Sequence, residues 1–77
     1  MAVNRGSAIP LYLQISDQLR AEIRAGGYRD GPLPSESALS AEHGVARLTA
    51  RKAVQLLVAE GLVVVVQGRG AYVKAAA

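Results

Sequence analysis

Hydrophobic positions fall at helical spacing in three stretches of this chain and then change to the denser pattern of strands. Leu11, Ile15, Leu19 and Ile23 recur every fourth residue, which predicts a first helix with a single apolar stripe. Tyr12 widens that stripe, Glu22 falls at one edge, and Arg20 and Arg24 lie off it. Pro10 suits the first turn, where a missing N–H costs nothing, and Gly26-Gly27 end the helix. A turn-rich connection with Asp30-Gly31 and two prolines runs from Tyr28 to Pro34. Ser35 then stands as the N-cap of a second, short helix over Glu36 to His43, with Leu39 inside and Gly44 as its stop. The third helix is expected over Arg47 to Glu60. There Ala50, Ala53, Val54, Leu57 and Val58 share one face, while Leu48, Arg51, Lys52 and Gln55 project from the other.

After Gly61 the pattern changes. Leu62 to Gln67 and Ala71 to Lys74 are rich in Val and Tyr and flank Gly68-Arg69-Gly70, which reads as an antiparallel hairpin. Glycines at such a turn supply the positive φ angles that other residues resist. The second and third helices, joined through Gly44, Val45 and Ala46, form a helix-turn-helix unit. The expected fold is therefore mainly α with a small β-hairpin, a winged helix-turn-helix of three helices and a two-stranded wing. Residues 1–9 are expected as a flexible N-terminal arm, 10–74 as the domain, and 75–77 as a tail or the start of a linker.

Length and composition narrow the function. One small domain with a marginal core is all that 77 residues provide. With no Cys, disulfides and thiolate metal sites are excluded, and a cytoplasmic location is expected. No apolar run approaches a membrane span and no signal peptide opens the chain. The net charge of +3 is unevenly placed. Residues 1–46 carry four arginines against five carboxylates, whereas residues 47–77 carry Arg47, Arg51, Lys52, Arg69 and Lys74 against Glu60 alone. A one-sided basic surface is the electrostatic footprint of a polyanion partner, here double-stranded DNA.

Several spaced motifs, in order, resemble one family. They are P-L-Y-x-Q-I from Pro10 to Ile15, L-P-S-E from Leu33 to Glu36, G-V-x-R-x-T-x-R-x-A from Gly44 to Ala53, and E-G-L-V followed by Q-G-R-G-x-Y-V. This set resembles the GntR-type bacterial transcription regulators, and the R-x-T-x-R-K-A form with the Q-G-R-G wing is most similar to their HutC-type branch. The resemblance implies a repressor that binds a pseudo-palindromic operator as a homodimer. It also implies a small-molecule effector acting only through a C-terminal domain outside this chain, with the chain itself either an excised head or a small protein lacking that domain.

By the same resemblance, Arg47, Thr49 and Arg51 are DNA contacts at the start of the third helix, and Gln67, Gly68, Arg69 and Gly70 form a wing tip against the minor groove and its backbone. The chemistry agrees. Arg can fork onto O6 and N7 of guanine, worth about 1–3 kcal/mol of discrimination. An Arg also fits the negative potential of a narrow minor groove. Ser35 opens the second helix where a phosphate could face it, and Lys52 is placed either on a phosphate or on plain surface.

The departures lie at four places. Ser37 and Ala38 replace the Arg and second Glu usual after L-P-S-E, removing one DNA contact and the reciprocal half of a capping box. Ala46 replaces the usual Ser cap of the third helix, at a cost of about 0.5–2 kcal/mol. The loop ending in Gly31-Pro32-Leu33 is one residue short, and Val63 to Val66 lacks the usual charge. Weaker monomer binding than the family average is expected.

Plainer readings stand beside these. The cationic face of the third helix could be only solvated, and Arg69 only a turn charge. His43 reads as a helix-end residue rather than a metal ligand, and Tyr12, Tyr28 and Tyr72 as core or core-edge packing. Strand alternation leaves two of the four valines at 63–66 facing outward, either under the first helix or arm, or toward a partner. The competing function is accordingly a winged-helix protein-interaction module that works through Val63–Val66. A third reading makes the chain the DNA-binding head of a longer, enzyme-like protein, but the chain itself, with one His and no phosphate-cradling loop, is not expected to be an enzyme or to need a cofactor.

Overall fold

Each apolar stripe becomes an element of the computed structural model, which describes residues 3–29 and 31–74. In chain order these are α1 (Leu11–Arg24), α2 (Glu36–His43), α3 (Arg47–Ala59), β1 (Val63–Val66) and β2 (Gly70–Val73), the expected winged helix-turn-helix. α3 is the central element and packs against α1, α2 and β1. Ile15 and Leu19 from α1, Leu39 from α2, Ala50, Ala53, Val54 and Leu57 from α3, and Val63 with Leu33 make one core. Ala50 and Ala53 are completely buried. Their small side chains let the neighbouring helices approach α3 closely.

Local chemistry fixes the element ends. Pro10 stands one position before α1 in extended geometry, and its carbonyl accepts from the N–H groups of Leu13 and Gln14. The Ser35 hydroxyl accepts from the Ala38 N–H at 3.0 Å, the expected cap of α2. Gly44 ends α2 at φ +64°, a left-handed turn that costs glycine nothing. Ala46 has the extended geometry of a cap but offers no side-chain oxygen, so α3 begins uncapped. α3 ends at Ala59, with Glu60 as its C-cap, one residue earlier than the periodicity suggested.

β1 and β2 pair antiparallel, with Val63 opposite Val73 and Val66 opposite Gly70. On the other side of β2, the Leu33 N–H donates to the Ala71 carbonyl at 2.7 Å, tying the α1–α2 connection to the wing. The alternation expected for β1 fails. Val63 is buried, but Val64, Val65 and Val66 are all exposed, three outward valines rather than two. Of the four β1 side chains only Val63 enters the core, whereas β2 stays against it through Ala71 and Val73.

Over residues 3–9 the arm makes specific contacts with the domain. The Gln14 side chain accepts from the Asn4 N–H at 2.7 Å and donates to the carbonyls of Asn4 (3.0 Å) and Ile9 (2.8 Å). The Arg5 guanidinium donates to the Gly44 carbonyl in the helix-turn-helix turn, and Val3 packs on the core. Residues 1 and 2, Asp30 and the 75–77 tail lie outside the described residues. On the opposite flank Arg20 forks onto Glu60 (2.8 and 2.6 Å) and reaches Asp17 at 2.6 Å, clamping α1 to the end of α3. Tyr12 and Tyr28 pack at the core edge as expected, and Tyr72 is half-buried opposite Val64. No described helix is long and apolar enough to cross a membrane.

Candidate nucleic-acid interface

Burying Ala50, Ala53, Val54 and Leu57 turns the opposite side of α3 outward, so Arg47, Leu48, Arg51 and Lys52 are exposed along its first two turns. Thr49 is half-buried. No acidic residue lies in that first turn, and the absent cap leaves early backbone N–H groups without a side-chain acceptor. Together these make a positive helix end that suits a phosphate.

The wing returns beside it. Gln67, Gly68 and Arg69 form the turn, closed by the Arg69 N–H on the Val66 carbonyl at 2.9 Å. Gly68 at φ +80° and Gly70 at φ +111° hold backbone angles that a side chain would strain, which keeps the tip narrow and bare. A cleft of about 520 Å³ opens between wing and helices, lined by Ser35, Glu36 and Ser37 from the start of α2, Arg47 from α3, and Val65, Arg69 and Gly70 from the wing. Three segments distant in sequence thus converge on one groove. Among the described residues neither Arg47 nor Arg69 holds an ion pair, so both cations are available to an anion.

Not every candidate residue faces the cleft. Gln67 and Gly68 are exposed at the wing tip beyond its lining. Lys52 stands with its ammonium 5.0 Å from the centre of the Tyr12 ring, a cation–π contact toward α1. Arg51 is held by Glu36: its Nε donates to both carboxylate oxygens at 3.2 and 3.1 Å, and its Nη2 to Oε1 at 3.1 Å. Those hydrogen bonds raise the Arg51 pKa further above its already high ordinary value. A guanidinium is charged at any working pH, so the consequence is orientation rather than charge. The sequence carried no sign of this pair, because its members lie 15 residues apart and meet only where α2 crosses α3.

His43 is buried at the end of α2 with its Nδ1 unpartnered and its Nε2 3.7 Å from Glu42. Among the described residues no group of three His, Cys, Asp or Glu could hold a metal ion.

The sequence and the fold have counterparts among known proteins. A family model described as bacterial regulatory proteins, gntR family, matches residues 11–73. The chain is 43% identical over 74 residues to the HTH-type transcriptional repressor NagR of Bacillus subtilis, covering 95% of this chain and 30% of that protein. To the mannosyl-D-glycerate transport/metabolism system repressor MngR of Escherichia coli it is 47% identical over 66 residues, 84% of this chain and 28% of that protein. Among solved structures, YtrA from Sulfolobus acidocaldarius, a GntR-family transcription factor, superposes with a TM-score of 0.85 at 39% identity, over 97% of this chain and 80% of that one. AraR(DBD) in complex with operator ORX1 gives a TM-score of 0.83 at 34% identity, over 96% and 93% of the two chains. The chain spans about 30% of the length of these curated relatives.

Proposed function

The chain belongs to the gntR family of bacterial regulatory proteins, and on that premise we propose that it is the operator-reading head of a transcription repressor. The observation that carries this reading is the convergence of α2, α3 and the wing on one groove edged by Arg47 and Arg69. α3 enters the major groove, where Arg47 and Arg51 read base edges and Thr49 meets a phosphate or a thymine methyl. The start of α2 at Ser35 and the ammonium of Lys52 anchor phosphates, and these contacts fix register without carrying sequence information. Gln67, Gly68, Arg69 and Gly70 follow the adjacent minor groove. The protein whose solved DNA-bound domain superposes on this chain is described as bound to an operator, which supports the same mode here.

Two heads act together on a pseudo-palindromic site, because one module of this size buries only about 600–1,000 Å² on DNA. A small-molecule effector acts through a domain that follows the head in the full protein, and the reading places the protein in the bacterial cytoplasm. The R-x-T-x-R-K-A run and the Q-G-R-G wing support the HutC-type branch.

The test is selection of duplexes from a random pool, followed by titration at two salt concentrations beside Arg51→Ala. Enrichment of one palindrome, affinity falling with salt and loss of preference in the variant are expected. Binding indifferent to sequence in both proteins would sink the reading. A protein-interaction module is the second reading, favoured by the exposure of Val64, Val65 and Val66. It predicts a partner captured equally well by Arg51→Ala and lost on changing Val64 and Val66 to Thr.

A further inference from the structure

Glu36 is a carboxylate on a surface otherwise built for a polyanion, and its placement is specific. It occupies the first turn of α2, fixed by the Ser35 cap one residue earlier and favoured there by the helix dipole. Its two oxygens take the Nε and Nη2 edge of Arg51 at 3.1 to 3.2 Å. An arginine has two edges that can fork onto guanine, and this contact occupies one of them. What remains is the terminal pair, Nη1 with the outer hydrogen of Nη2, in a geometry mounted on two helices rather than on one flexible side chain. The Arg51 side chain is still 49% exposed, so that terminal fork remains open to a ligand.

We propose that Glu36 is a specificity-determining positioning residue, which presents the terminal fork of Arg51 to one guanine and, by its own charge, weakens binding to every other sequence. The inference rests on the DNA-reading function proposed above. Two effects follow from one carboxylate. An arginine already oriented loses less rotamer freedom when it binds a base edge. A carboxylate close to the DNA surface also opposes the phosphate attraction that drives sequence-independent binding.

The experiment uses the whole chain and a palindromic duplex selected from a random pool by the wild-type protein. Its companion is the same duplex with the guanine whose replacement Arg51→Ala no longer senses changed to adenine. The readout is the affinity ratio between the two, with affinity for an unrelated duplex at several salt concentrations. Glu36→Gln removes charge and grip together. It should bind the unrelated duplex more tightly, with a salt slope steeper by about 0.9, while the guanine ratio falls about tenfold. Glu36→Asp keeps the charge but draws the carboxylate back from Arg51; it should leave unrelated binding and the slope as in wild type while the ratio still falls. In the Arg51→Ala background neither change should move the ratio by more than about twofold.

A purely structural role for Glu36 would lower thermal stability and leave the ratio of the folded protein intact. An unmoved ratio in both variants, or a fall that persists without Arg51, overturns the inference while the DNA-reading function stands. A wild-type protein that prefers no duplex overturns both.

Discussion

Single residues set the ends of the elements, and two of them make testable demands. Ala46 stands where a side-chain oxygen would cap α3, and none is present. Ala46→Ser should raise unfolding stability by about 0.5–2 kcal/mol, measured as a higher urea midpoint at unchanged slope. Tyr28 is a non-glycine residue in left-handed backbone, φ +62°. Its ring packs on the core and its hydroxyl donates to Glu22, interactions that offset the strain of that conformation. Burial, and then the bond to Glu22, push the Tyr28 phenol up to about 12, against about 10 when unfolded. The folded state therefore holds this proton more tightly, and stability falls as pH rises from about 10 to about 12. Tyr28→Phe should flatten that part of an alkaline stability profile. At this scale the sequence was legible wherever chemistry is local: the Ser35 cap, the missing cap at Ala46 and the stop at Gly44 follow from residue type and position alone. Arg5 on Gly44, 39 residues apart, and Glu36 on Arg51, 15 apart, were not legible, because folding is what makes them neighbours.

Elements were read well where one face is buried along its whole length. The three helices come near this, although Val58 on the expected inner face of α3 is exposed, and their limits follow the periodicity to within a residue. β1 does not: Val63 alone is buried, and the contact of the ribbon with the core beyond it is made by β2, so alternation along β1 has little force. The lock between α1 and α3 has no signature in the sequence, because Arg20 and Glu60 lie 40 residues apart. The bonds from Arg20 hold the Glu60 carboxyl below the usual carboxylate range. The contribution is present above the unfolded value of about 4.3 and is lost as pH falls through the lower, folded one. Glu60→Gln should remove this acid-side slope while leaving the alkaline profile unchanged, read from denaturation midpoints across the acid range.

The whole molecule divides its charge. All of the positive excess follows residue 46, and folding brings Arg47 and Arg69 to the edge of one groove. The wing cation should act on affinity more than on choice of sequence. Arg69→Ala is expected to weaken all duplexes and to reduce the salt slope by about 0.9, whereas Arg47→Ala should narrow the gap between preferred and random duplexes. Composition revealed the basic half but not the groove, whose walls meet where the Leu33–Ala71 hydrogen bond ties the α2 approach to the wing. The sheet of that wing has just two strands, and no described strand lies along the outer side of β1. Such an edge, running through four valines without a charge or a proline, is a template for growth by further copies of itself. In concentrated solution the ladder can continue from molecule to molecule while every helix stays folded. Colloidal loss should then be second order in protein, seeded by material already lost, and relieved by a single lysine at Val65, whatever the melting temperature.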